Sequence, residues 1–131
     1  MAGKGTAPRA GDAFKFKVVE LAENIGLEAA TEVRAARRLW GAKRRIDVVL
    51  SDPRTGRTLG IESKFQGGSG SAEEKIPATI QDIESWPIDG IVVIDGDGFS
   101  KNMVGYLMAS GKTVWYDDLE DWLRLYFNIK G

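Results

Sequence analysis

At 131 residues, 43% of them hydrophobic and 28% charged, the chain is long enough to bury a real core and too short for two domains. It has no cysteine and no histidine, which removes disulfides, thiolate nucleophiles, the usual zinc ligand and the usual general base. Its net charge of −1 does not announce a nucleic-acid binder. No apolar run is long enough to span a bilayer, so no membrane association is expected and a cytoplasmic setting, of bacterial or phage type, fits the composition. Any catalysis must run on carboxylates, lysine, hydroxyls and a metal.

Residues 1–11 are small, polar and basic and read as a loose arm, with residues 12–131 as the single domain. A helix is predicted from about Asp12 to Ile25, with Phe14, Val18, Leu21 and Ile25 at helical spacing and Gly26 as its stop. The next stretch alternates and reads as a strand over roughly Ala30 to Leu39, with a helix as the other reading. Arg34, Arg37, Arg38, Lys43, Arg44 and Arg45 place six positive charges within twelve residues, with no acid among them. Such runs are commonly a solvated face. Here the run leads into the strand that carries Asp47, and a basic rim beside an acidic site suits a polyphosphate such as DNA.

Arg44 to Gln66 reads as a hairpin. Alternation puts Ile46, Val48 and Leu50 on one face of its first strand and Asp47 and Val49 on the other. A turn follows through Asp52-Pro53-Arg54-Thr55-Gly56, and a second strand runs from about Thr58 to Phe65, with Ile61, Ser63 and Phe65 opposite Glu62 and Lys64. The hairpin brings Asp47 across from Glu62, with Lys64 two residues on. Two carboxylates that close repel one another unless a cation lies between them. Hard oxygen ligands on rigid strands suit Mg²⁺ or Mn²⁺, and a lysine beside them can stabilise developing negative charge. A solvated face with a weak ion pair is the plain alternative.

After the hairpin, Gly67-Gly68-Ser69-Gly70 reads as a loop, and Ser71 with Glu74 as a capping box, with a kink or restart near Pro77. Ile76, Ile80 and Ile83 mark a buried helical stripe. Gln66 shares the Glu62/Lys64 face. Glu73 and Lys75 could reach substrate, though capping and solvent exposure explain them equally well. Ile88 to Ile94 is an apolar strand of the kind buried in a mixed sheet. Asp95-Gly96-Asp97-Gly98 forms a turn without the G-K-[ST] ending of a phosphate loop. Ser100 caps a helix to about Ala109 with Met103, Leu107 and Met108 inward. Thr113 to Tyr116 is a strand, and Asp117 caps a last helix whose Leu119, Trp122, Leu123 and Phe127 face the core. The order is α-β-β-β-α-β-α-β-α, an antiparallel meander followed by crossovers to a mixed sheet.

Asp47 followed by Glu62-Ser63-Lys64 resembles the D…(D/E)-x-K signature of the PD-(D/E)XK nuclease superfamily, which includes type II restriction endonucleases and archaeal Holliday junction resolvases. The runs Glu62-Ser63-Lys64-Phe65-Gln66 and Gly70 to Ile76 strengthen the likeness. Ile46 stands where the motif often has proline. The resemblance covers roughly residues 12 to 127 and implies an α/β, restriction endonuclease-like αβββαβ core with a mixed central sheet, extended here by a C-terminal αβα. It implies a divalent-metal-dependent endonuclease acting on DNA, with Mg²⁺ or Mn²⁺ held by Asp47, Glu62 and the Ser63 carbonyl, and with Lys64 acting on the water or the transition state. In such nucleases the first helix often supplies a further acid; Glu20, at the flank of the apolar stripe, is the candidate, because Lys15 stands where several relatives carry it. Cutting both strands of a duplex takes two sites, so a homodimer or higher symmetric oligomer is expected. The rival readings are a catalytically inactive DNA-binding or protein-interaction module of the same fold, and an unrelated small α/β domain.

Overall fold

Two apolar stripes on opposite faces of one sheet account for the architecture. The computed structural model of the protein describes residues 10–37, 43–67 and 76–130. In chain order they form α1 (Ala10–Asn24), β1 (Glu28–Arg37), β2 (Lys43–Ser51), β3 (Thr58–Phe65), α2 (Ile76–Glu84), β4 (Gly90–Asp95), α3 (Lys101–Ser110), β5 (Thr113–Trp115) and α4 (Tyr116–Phe127). This is the order that the apolar periodicities predict. The strands lie in the sheet in sequence order, antiparallel from β1 to β3 and parallel from β3 to β5. The change of sense follows from the connections, since a tight turn joins antiparallel strands and a helix must cross over between parallel ones.

One face of the sheet offers Val48, Leu50, Leu59, Ile61, Ile91, Val93 and Val114 to Phe14, Val18 and Ala22 of α1 and to Leu119, Leu123 and Phe127 of α4. The other face offers Val92 and Ile94 to Ile76, Ile80 and Ile83 of α2 and Leu107 of α3. Every second residue of β4 thus serves a different layer, which is why its sequence is apolar throughout. Full burial of side chains such as Ile61 and Ile94 contributes about 1.5–3 kcal/mol each. The ring of Trp86 lies against Gly60 of β3 and Gly90 of β4 on the α2 side. A Cβ on Gly60 would stand 2.7 Å from that ring, and one on Gly90 would also meet it, so both strands need glycine there.

Several expectations need correction. Met108 is exposed, because α3 buries only Leu107 fully and rests Met103 at its margin. Asp117 does not cap α4. The helix begins at Tyr116 with Trp115 as N-cap, and Asp117 and Asp118 occupy the first turn, where their charge favours the helix dipole. Ser100 caps α3 as expected, accepting a bond from the Met103 amide. On β2, Val48 and Leu50 join the α1/α4 core, but buried Ile46 has its Cγ2 3.3 Å from where a Gly60 Cβ would stand, on the side that faces Trp86. The two-residue alternation therefore breaks at Asp47. The arm expected over residues 1–11 loses its last two, because α1 already begins at Ala10. Residues 1–9, Arg38, Glu73, Lys75 and the Ser71–Glu74 capping box lie outside the described residues. Among the described residues no helix is long and apolar enough to cross a membrane.

Candidate active site

The β2–β3 ladder runs from Ser51↔Thr58 at the turn to Val48↔Ile61, its last registered pair. Beyond it, side chains take over from backbone carbonyls. The Asp47 amide donates to Glu62 Oε2 at 2.9 Å, and the Ser63 amide donates to Asp47 Oδ2 at 3.1 Å. Ser63 Oγ lies 3.5 Å from the same Asp47 oxygen. Each carboxylate is thus held by the other strand's backbone, and two acids from residues fifteen positions apart are fixed at the mouth of the fork. Hydrogen bonds from amides favour the charged form of a carboxylate, which offsets part of the cost of placing two negative charges together.

Burial sharpens the arrangement. Glu62 is only 6% exposed and shares the register of Val92 on the parallel neighbour β4. Lys64, two residues on, is half-buried and registers with Ile94. A buried carboxylate in such surroundings must be compensated by hydrogen bonds or a cation. Among the described residues no group of three or more His, Cys, Asp or Glu could hold a metal, and Asp47 and Glu62 are the acids that an ion at the fork could take. That donor set fits Mg²⁺ or Mn²⁺.

The first helix delivers a cation here. Lys15 Nζ is 3.1 Å from Glu32 Oε2, and its side chain is 14% exposed. Glu32 has a left-handed backbone, φ 54, inside β1. It falls between the pairs Thr31↔Val48 and Val33↔Ile46, which puts it opposite Asp47. Burial disfavours the Lys15 charge, but the bond and charge of Glu32, with the charges of Asp47 and Asp12, outweigh it and hold its pKa above the ordinary lysine value. Glu20, expected at this site, is directed to another surface. It is exposed and lines a groove between α1 and α4 with Tyr116, Glu120 and Arg124. The signal that distinguishes them is angular. At about 100° per residue, Lys15 lies roughly 60° round the helix from buried Val18 and Glu20 roughly 160°.

Gln66 is buried and held by the β4–α3 loop. Its amide donates to the Asp95 carbonyl at 3.1 Å, and its carbonyl accepts from the Gly98 amide at 2.8 Å. Gly96, φ 100, packs so closely on the Gln66 backbone that no side chain fits there. The turn Asp95–Gly98 is therefore a clamp on the end of β3. Among the basic residues, Arg34 and Arg45 are exposed and directly paired across β1 and β2. Arg37 pairs with Lys43 in backbone register, next to Arg44.

A mixed five-stranded sheet between two helical layers, with acids at the forked end of its central hairpin, defines an α/β fold of the restriction endonuclease-like kind. The chain belongs to the PD-(D/E)XK nuclease superfamily: the model of the PD-(D/E)XK nuclease superfamily domain matches residues 8–124. Among solved structures it is similar to AF1548, a protein of unknown function, at 23% identity and a TM-score of 0.54, over 79% of this chain and 56% of that one. It is also similar to a repair endonuclease from Pyrococcus abyssi, at 11% identity and a TM-score of 0.48, over 85% of this chain and 48% of that one. A third is EndoMS in a complex with dsDNA, at 11% identity and a TM-score of 0.45, over 88% of this chain and 48% of that one. The chain spans about half the length of these structures. No curated protein matches it.

Proposed function

We propose that the protein is a divalent-metal-dependent deoxyribonuclease that hydrolyses phosphodiester bonds at the fork between β2 and β3. The observation that carries this reading is the reciprocal engagement of Asp47 and Glu62, in which each strand's amide fixes the other strand's carboxylate. Two acids held side by side suit a cation-binding site.

In this reading Asp47, Glu62 and the Ser63 carbonyl hold Mg²⁺ or Mn²⁺. When bound, such an ion supplies an acidified water and charge neutralisation at a phosphate oxygen. The amides of the opposite strands already orient Asp47 and Glu62. Lys64, on the Glu62 face of β3, offsets the negative charge that builds on the phosphate and orients the attacking water. Gln66, clamped by the Asp95–Gly98 loop, borders the same site. Arg34 and Arg45 support DNA as the substrate: like charges directly opposite in a sheet are destabilising, and a phosphate between them relieves the repulsion. Arg37, Lys43 and Arg44 extend the basic strip along the same strand pair. A symmetric homodimer would supply the second site that double-strand cleavage requires.

Incubation with supercoiled, linear, single-stranded and branched DNA, in Mg²⁺, in Mn²⁺ and in excess EDTA, tests the proposal. Cleavage in either ion and none in EDTA is expected. Cleavage that persists in EDTA, or DNA binding without cleavage in every form, would overturn it, and the second result would favour an inactive binding module of the same fold.

A further inference from the structure

The Lys15–Glu32 pair has no role in the reaction as described, yet Glu32 stands at the register position beside Asp47. We infer that Lys15 is a resident counter-charge for the Asp47/Glu62 site, and that Glu32 holds it at a set distance, so that the pair tunes how tightly the site takes a divalent cation. The inference rests on the metal-dependent reading above and goes beyond it by assigning functions to two residues outside the D…(D/E)-x-K signature.

Three observations carry it. Lys15 Nζ is 3.1 Å from Glu32 Oε2 with the lysine side chain 14% exposed, so this ammonium is withdrawn from solvent rather than waving at the surface. Glu32 falls at the register position opposite Asp47, between Thr31↔Val48 and Val33↔Ile46, and the Asp47 charge acts on its partner cation Lys15. Glu32 also pays for that position with a left-handed backbone, φ 54, a conformation costly for a residue with a long side chain. The Glu32 side chain is itself 47% exposed, and an ordinary surface ion pair would not require its strained backbone.

The charges then explain themselves. Two carboxylates fixed together repel in the absence of metal, and a nearby ammonium offsets part of that repulsion. When a divalent ion arrives, the same ammonium opposes it. Glu32 moderates both effects by neutralising Lys15 from the far side. Lys15 therefore weakens metal binding, and Glu32 strengthens it.

Calorimetric titration of the whole chain with Mn²⁺ alone, without DNA, tests this. Lys15→Met keeps the apolar stem and removes the charge; it is expected to tighten Mn²⁺ binding about tenfold at low ionic strength. Glu32→Gln is expected to weaken binding by a similar factor, and Lys15→Arg to keep wild-type affinity. A pair that merely staples α1 to β1 predicts no change, or the same direction of change in Lys15→Met and Glu32→Gln; either result overturns the inference while leaving the nuclease reading intact. Thermal unfolding of each variant confirms that it is folded. Failure of the wild-type protein to bind Mn²⁺ at all would overturn both.

Discussion

At the closed end of the β2–β3 hairpin, Asp52 is 1% exposed and its carboxylate receives the Arg54 amide at 2.9 Å, Arg54 Nε at 3.1 Å and Arg54 Nη2 at 2.8 Å. At the open end, Asp47 and Glu62 are held by amides from the opposite strand and have each other as neighbours. The residue types are the same and the strands are the same. The difference is in what holds the carboxylates. Asp52 finds its cation two residues away, within one turn. The open end instead brings together two acids from distant positions, each accepting an amide of the opposite strand. The first arrangement is complete within a local segment, whereas the second exists only because two strands meet.

The largest expected effects break that comparison directly. Asp47→Asn and Glu62→Gln should each lower the cleavage rate by on the order of 10³-fold or more, with Tm unchanged or raised because like-charge repulsion is relieved. Asp52→Asn should do the reverse, lowering Tm while leaving cleavage near wild type. Parallel cleavage and thermal-unfolding measurements on the three variants check this. Lys64→Ala should keep metal binding and lose about 2–4 kcal/mol of transition-state stabilisation, seen as a fall in kcat with little change in KM.

A smaller effect concerns the paired arginines. Arg34→Ala and Arg45→Ala should each reduce the slope of log affinity against log salt by roughly 0.9, measured on a Glu62→Gln background that cannot cut. Each should leave the fold as stable or more so, since one of two like charges directly opposite is removed. An unchanged slope would mean that these arginines simply face solvent.

The smallest effect is the acid limb of stability. Hydrogen bonds from the Arg54 side chain and backbone hold the Asp52 carboxyl below the usual carboxylate pKa. A depressed folded-state pKa gives stability that is present above the unfolded value of about 3.9 and is lost as pH falls through the folded one. Wild-type Tm should therefore drop below about pH 4, and Asp52→Asn should lack that part of the drop. Equal acid limbs in the two proteins would show that the turn pair contributes nothing.

Much of this was legible from residues. The element order follows from apolar periods of two and of 3.6, and the Asp47/Glu62 juxtaposition follows from turn length and strand alternation. The mutual grip of the two acids did not follow, because it arises where the ladder stops, and sequence does not mark where strands fork. Alternation failed at Ile46 for the same reason. Glu20 is suggested by its place at the flank of the apolar stripe; in the fold it lines a groove with Tyr116, Glu120 and Arg124, whereas Lys15 reaches Glu32 of β1. Glu32 gave no local signal, since a left-handed glutamate in a strand is a consequence of packing around it. The Asp95–Gly98 loop reads as a plain turn, and its grip on Gln66 depends on a parallel pairing that sequence separates by some thirty residues. Asp117 lies two residues inside the observed cap Trp115, which is the usual scale of error at helix boundaries, and Met108 lies one residue past buried Leu107 on the exposed side of α3.

The most direct measurement is a calorimetric Mn²⁺ titration of the wild type, Glu62→Gln and Asp52→Asn side by side. The account predicts binding by the wild type and by Asp52→Asn with closely similar affinity, and none measurable for Glu62→Gln. Undiminished Mn²⁺ binding by Glu62→Gln would contradict it and move the metal, and with it the active site, away from the fork.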